Sequence, residues 1–356
     1  MAAEFPTQRL LAWYQRHGRD LPWRHTRDPY AIWVSEIMCQ QTRVETVIGY
    51  YERWMQSFPT IQSLAEAREH DVLKCWEGLG YYRRARHLHQ SAQRIMDEFR
   101  GEFPRDYDSI LSLKGVGGYT SAAIGSIAFG IPKGVVDGNV LRVATRVLGI
   151  NNDIRKSTTV REIQSWMDAV IDTHSPGDFN QAVMELGATL CSPTKPSCEQ
   201  CPLANGCVAF AMAATDTIPY KSPAKKIPHH PIGVAVIKNR DGHVLIGRRR
   251  SDQMLGGLWE FPGGKQELDE SIEQTVVREI KEELDLDIEV HRPMIDVPHA
   301  YSHFKVTLHV YECLLRSYEQ EPKALVHEEL RWIHPEKLDE YPFPKANKTI
   351  VEHLQQ

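Results

Sequence analysis

The sequence predicts a two-domain chain: an all-α domain followed by a smaller α+β domain. Three observations lead there. Through residues 1–210 apolar side chains recur at three- and four-residue intervals, as in Val44, Val47, Ile48, Tyr51, Trp54 and Met55, and strand-like alternation is scarce. Residues 215–230 (TDTIPYKSPAKKIPHH) carry three prolines and three lysines with few apolar groups, the signature of a linker. Beyond them the pattern turns β-rich. The expected divisions are therefore 1–214, a linker at 215–230, and 231–356; a chain of 356 residues is long enough for two cores.

Bulk properties set outer limits. The net charge of −5 is uneven, +2 over residues 1–228 and −7 over residues 229–356. An acidic total does not exclude nucleic acid, because a local basic face decides binding. YYRRAR at 81–86 is such a cluster, although the same residues suit a solvated helix face. No apolar stretch approaches the roughly 18 residues of a membrane span, and the first residues lack a signal-peptide pattern. A cytoplasmic monomer with no membrane partner is expected, nucleoid-associated if bacterial.

The first chemistry-bearing stretch is AIWVSEIMCQQTRV at 31–44. Ile32, Trp33, Val34, Ile37 and Met38 suit a buried helix, and Glu36 sits among them. A carboxylate there is costly to ionise unless partnered, and a protonated one can act as a general acid near neutral pH. Gln40 lies one turn on, followed by Gln41 and Thr42. Next, LKGVGG at 113–118 precedes a helical run at 119–128. Gly115 and Gly117 permit a tight turn, and the amides opening the next helix can hold a phosphate, the logic of a helix–hairpin–helix on a DNA backbone. Asp137, in VVDGNV at 135–140, stands at a helix start, where capping is the commoner role.

Cys191, Cys198, Cys201 and Cys207 follow with spacing C-x6-C-x2-C-x5-C. Four thiolates so close can wrap one metal centre, and zinc and an iron–sulfur cluster both accept them. Cys39, Cys75 and Cys313 read as buried small apolar residues.

In the second domain, strands are expected at 232–238 and from 243, then at 306–314, with helices near 272–284 and 345–354. Residues 264–286 fit the Nudix pattern G-x5-E-x7-R-E-U-x-E-E-x-G-U at Gly264, Glu270, Arg278, Glu279, Ile280, Glu282, Glu283 and Leu286. Asp285 departs, standing where glycine is expected, and would disturb the turn after the helix. Glu279, Glu282 and Glu283 share one helix face and suit Mg²⁺ bridging a diphosphate; they equally suit a charged surface helix.

Glu36 in SEIMCQQT, the hairpin LKGVGGYT, Asp137 in VDGN, the four-cysteine loop, LPWR at 21–24 and WEGLGYYRRAR at 76–86 occur in one order. Together they resemble the helix–hairpin–helix DNA glycosylases with a [4Fe–4S] cluster, and within them the MutY-type adenine DNA glycosylases carrying a Nudix-like C-terminal domain. The resemblance spans essentially the whole chain. It implies base-excision repair: an adenine opposite 8-oxoguanine or guanine in duplex DNA is flipped out and its N-glycosidic bond hydrolysed. By this resemblance Glu36 protonates the adenine and Asp137 stabilises the sugar cation. Tyr119 and Asn139 attend Asp137, Arg24 lies near the base, and Gln41 and Tyr81 enter the stack; Gln40, a base-contact candidate from its place one turn beyond Glu36, presents its amide to the same spot. Tyr301, Ser302 and His303 read 8-oxoguanine, and Asn347 resembles a base-reading asparagine of 8-oxo-dGTP hydrolases. Endonuclease III-type enzymes carry a Schiff-base lysine where this chain has Tyr119, so a monofunctional glycosylase is expected. An alternative adds hydrolysis of 8-oxo-dGTP by the second domain.

Overall fold

The computed structural model describes residues 5–223, 227–301 and 303–356. Helices α1 (Thr7–His17), α2 (Pro29–Cys39), α3 (Val44–Ser57), α4 (Ile61–Ala65), α5 (Glu69–Trp76), α6 (Arg83–Glu98), α7 (Tyr107–Leu111), α8 (Gly118–Phe129), α9 (Gly138–Leu148), α10 (Ser157–Val170), α11 (Pro176–Thr189) and α12 (Val208–Ala211) precede the first strand. The chain divides into two units, Met1–Glu66 with Gln90–Ala224, and Ala67–His89 with Lys225–Gln356. Residues 67–89, assigned to the helical domain on sequence continuity, thus pack in the second unit.

In the first unit two helices are apolar all round and therefore buried. α2 buries Tyr30 through Ser35 with Ile37 and Met38, and starts on Pro29 behind an Asp28 cap that accepts the Tyr30 N–H. α8 buries Thr120 through Ile127 and ends on Gly130 in the left-handed region. α2 and α8 pack together, and α11 lies against α1, α8 and α9. The stretch expected as a linker is anchored before its end: Ile218 is buried, and the Ile154 N–H donates to the Tyr220 carbonyl.

The second unit holds a mixed sheet of β1 (His229–Lys238), β2 (Val244–Arg249), β3 (Trp259–Glu260), β4 (Gly263–Lys265), β5 (Ile288–Ala300), β6 (Lys305–Leu315) and β7 (His327–Ile333). The order is β3-β2-β1-β6-β5, with β4 on β1 and β7 on β2. β1 and β6 run parallel; the other pairs are antiparallel. α13 (Ile272–Leu284) packs Val276, Ile280 and Leu284 into one core, and α14 (Lys345–Leu354) packs Ile350 and Val351 into another with Trp259, Phe261 and Phe343. The expected turn disturbance at Asp285 is corrected. Asp285 takes the left-handed cap conformation, φ 53°, that glycine would supply, and Lys281 and Lys323 hold its carboxylate at 2.9 and 2.8 Å. Among the lone cysteines only Cys313 is fully buried; Cys39 and Cys75 are half-buried, a second correction. Among the described residues no helix is long and apolar enough to cross a membrane.

Candidate active site

Glu36, Tyr119, Asp137 and Arg24 reach one place from four segments of the first unit. Glu36 rides on the buried α2 yet stays half-buried itself, and the Tyr119 hydroxyl, in the first turn of α8, donates to its Oε2 at 2.7 Å. Burial pushes the Glu36 carboxyl up to about 7, reinforced by the charge of Asp137 and opposed by the Tyr119 hydrogen bond and the Arg24 charge. Burial and both carboxylates hold the Tyr119 phenol well above its ordinary value, so it remains a donor. Asp137 is the N-cap of α9: one oxygen accepts the Val140 N–H at 2.7 Å and the other the Asn139 amide at 3.1 Å. Burial raises its pKa against those two bonds. The capping role and the site role therefore coincide.

Arg24 sits in a 3-10 turn, Pro22–His25, over the Tyr14 ring at 5.3 Å. Its Nη2 donates at 2.7 Å to Glu185, whose side chain is fully buried on α11 and also takes the Arg19 Nε at 2.8 Å. Sequence reasoning missed Glu185. The signal was present, since a carboxylate inside the apolar run FNQAVMELG poses the same desolvation problem as Glu36. Asn139 is itself braced: Arg142 Nη2 donates to its Oδ1 at 2.8 Å and to the Gly187 carbonyl at 2.7 Å, while Arg142 Nε donates to the Cys191 carbonyl at 2.7 Å.

Gln40 donates to the Thr120 hydroxyl at 3.2 Å, beside Tyr119. Gln41 is exposed with φ 56°. Gly115 and Gly117 are exposed in the turn between α7 and α8; Gly115 has φ 76°, and nothing lies within 4 Å of a Cβ built at Gly117, so space there is open to another molecule's backbone. Tyr81, in the second unit, is exposed with φ 50°, its ring 5.3 Å from the Arg84 guanidinium.

The four clustered cysteines line one cavity together with Arg146. Burial and their mutual charges hold the Cys198, Cys201 and Cys207 thiols above their ordinary range, Cys201 at about 11, so thiolates there call for positive charge. Among the described residues no three His, Cys, Asp or Glu side chains are placed to hold a single metal ion. Four cysteines lining one cavity are a donor set that fits a metal centre with thiolate ligands.

In the second unit the carboxylates of the Nudix-like helix are taken up by protein. Arg278 pairs with Glu270 at 2.8 Å and with Glu279 and Glu282 at 3.1 Å, and Glu283 accepts the Gly263 N–H at 3.1 Å. Glu279 lies so close under Gly264 that a Cβ there would come within 2.1 Å of its carboxyl carbon. Burial, with the nearby Glu260, pushes Glu283 up to about 7 against the pull of His327. Glu279, Glu282 and Glu283, the residues expected to hold Mg²⁺, thus all have protein partners for their oxygens. Tyr301 packs edge-on to His299 at 4.7 Å, and its N–H donates to the Phe304 carbonyl, closing the turn between β5 and β6. His303 is exposed in that turn, and Ser302 lies outside the described residues. Asn347 Oδ1 accepts the Phe261 N–H at 3.0 Å.

Two family profiles match: HhH-GPD superfamily base excision DNA repair protein over residues 34–169, and NUDIX domain over residues 233–353. The chain is similar to the adenine DNA glycosylase of Homo sapiens, 34% identical over 396 residues, covering 96% of this chain and 72% of that protein. It is 33% identical over 311 residues to the adenine DNA glycosylase of Buchnera aphidicola, covering 87% of this chain and 86% of that one. Among solved structures, a thermostable thymine-DNA glycosylase aligns with TM-score 0.54 and 29% identity over 58% of this chain and 95% of its own. An endonuclease III–DNA complex aligns with TM-score 0.50 at 22% identity, over 58% of this chain and 94% of its own, a likeness of fold.

Proposed function

The chain belongs to the adenine DNA glycosylase family of base-excision repair, and on that premise we propose that it removes adenine paired with 8-oxoguanine or guanine by acid-assisted hydrolysis. The observation that carries the mechanism is the Tyr119–Glu36 hydrogen bond with Asp137 close enough to raise the Glu36 pKa. With its pKa raised to about 7, a large share of Glu36 holds a proton at neutral pH, to deliver to N7 of a flipped adenine, which turns the base into a neutral leaving group. Asp137, whose ionised form the Val140 N–H and the Asn139 amide favour against burial, faces the cation that develops on the sugar. Arg24, fixed by Glu185, orients the base edge. Residue 119 is tyrosine, so the position lacks an amine to form a Schiff base, and excision ends at the abasic site. The exposed hairpin glycines hold the backbone of the duplex, and Gln40, Gln41 and Tyr81 act at the opened stack. Cys191, Cys198, Cys201 and Cys207 hold a [4Fe–4S] cluster, which supplies structural closure of their loop.

For residues 231–356, with 215–230 as linker and 1–214 as glycosylase domain, the reading is a lesion reader. Its box carboxylates are satisfied by Arg278 and Gly263, while Tyr301, Ser302 and His303 meet 8-oxoguanine. The alternative, hydrolysis of 8-oxo-dGTP, is favoured by the nearly complete motif.

Single-turnover excision from an A:8-oxoguanine duplex tests the first reading. Glu36→Gln is expected to lose about 10²–10⁴-fold in rate with duplex binding retained; retained excision removes Glu36 from its role. Borohydride is expected to trap no covalent product. Incubating 8-oxo-dGTP with the full chain and Mg²⁺ tests the second domain: no turnover is expected, and turnover abolished by Glu282→Gln would establish the alternative.

A further inference from the structure

Arg146 on α9 is 2% exposed and, among the described residues, has no carboxylate partner. Most buried arginines are balanced by a carboxylate, because an isolated buried charge costs several kcal/mol. Its hydrogen bonds go elsewhere. Nε donates to the Ile218 carbonyl at 2.8 Å, Nη1 to Ser192 at 2.7 Å, and Nη2 to Pro193 at 3.1 Å and Thr215 at 2.8 Å. Nη1 also reaches the Cys191 sulfur at 3.3 Å. The side chain lines the cavity that holds all four cysteines.

These carbonyls bring the uncompensated cation to the one place where a net negative group is implied. A cluster ligated by four thiolates carries excess negative charge, and nearby charge together with N–H···S hydrogen bonds sets how readily it gives up an electron. The fork geometry matters separately. One guanidinium gathers the start of the cysteine loop (Ser192, Pro193) and the segment that follows it (Thr215, Ile218) onto α9, which a lysine ammonium cannot do.

We propose that Arg146 is the buried counter-charge of the cluster and the clamp on its loop, setting both cluster retention and cluster potential. This rests on the cluster reading above, and the experiment separates the two. Wild type, Arg146→Lys and Arg146→Met full-length chains are purified without oxygen. Iron and acid-labile sulfide per chain, iron loss to a chelator, and midpoint potential by protein-film voltammetry are measured, with circular dichroism as the folding control. Wild type is expected to hold about four irons; a chain without iron overturns the cluster reading and this inference with it.

Given iron in the wild type, Arg146→Met is expected to lose iron at least severalfold faster. Its oxidised form should be favoured by about tenfold, which is about 59 mV for a one-electron couple. Arg146→Lys is expected to lose iron faster as well but to keep most of the potential, since the charge remains and the fork does not. Wild-type iron loss and wild-type potential in both variants overturn the inference with the cluster reading intact. Should Arg146→Met fail to fold, Arg146→Lys decides: chelation at the wild-type rate overturns it.

Discussion

Glu36 is pushed up to about 7 first by burial and then by Asp137, and pulled back by the Tyr119 hydroxyl and the Arg24 charge. The sign for catalysis follows. The acid is competent while protonated, so excision under single-turnover conditions should fall about tenfold per pH unit above roughly 7. Asp137 must be ionised and its pKa is also raised, so a second decline is expected on the acidic side, giving a bell. Tyr119→Phe removes the hydrogen bond that favours the Glu36 carboxylate. The alkaline limb should then move to higher pH while the acidic limb stays. An alkaline limb at the wild-type position would show that Tyr119 only packs. That shift is not available to a mere loss of stability, which lowers activity without moving either pKa. Glu185 belongs to the same scale: it has no opening toward solvent, and its two arginines are what allow it to stay ionised.

Helix α11 meets the start of α9 at Gly187, where a Cβ would come within 2.6 Å of the Asn139 Cβ and 3.1 Å of its Cα. Both are carbon atoms near the backbone, so the neighbour must move as a unit, and with it the amide that holds Asp137. Gly187→Ala is expected to cut excision by about 10- to 100-fold through misplacement of Asp137, with iron content near wild type; unimpaired excision would mean that α9 yields without disturbing its cap. How much was legible in the sequence also divides by element. α2, α13 and α14 were readable because their apolar spacing and caps are local, and Glu36 and Asp137 because each breaks an apolar run. Strand β5 was not. It carries Pro293 and Pro298, which argue against a central strand, and it lies at the sheet edge with two register shifts, where prolines are tolerated. β7 was missed because HEELRWI offers little alternation. The membership of residues 67–89 in the second unit rests on contacts such as the Tyr82 hydroxyl on the Phe343 carbonyl, which no local pattern encodes.

Among the described residues two carboxyls stand out for being pushed up to about 7, one in each unit: Glu36 and Glu283. Each has an ordinary value of 4.5, so between 4.5 and about 7 the folded chain binds more protons than the unfolded one. Their contribution to stability is therefore complete below pH 4.5 and lost as pH rises through 7. Other carboxylates act in the opposite sense. Glu185, despite burial, is held below its ordinary range by Arg19 and Arg24, and Arg278 draws Glu270 down to about 2, so their contribution is lost as pH falls. Stability should then peak on the mildly acidic side of neutrality, below the pH at which Glu36 begins to ionise. Glu36→Gln and Glu283→Gln both remove a carboxylate that burial disfavours. Each is expected to raise the thermal midpoint at about pH 8 and to change it little at about pH 5. Both groups are only half-buried, so solvent screening reduces the effect to about 1 kcal/mol, or about 2–4 °C for a unit of this size. Excision separates the two variants. Glu36→Gln should gain midpoint and lose activity, whereas Glu283→Gln should gain midpoint and keep it, because nothing in the proposed reaction uses Glu283. A pair of variants with wild-type midpoints at both pH values would mean that neither carboxyl is disfavoured by burial, and the acid role of Glu36 at neutral pH would lose its physical basis.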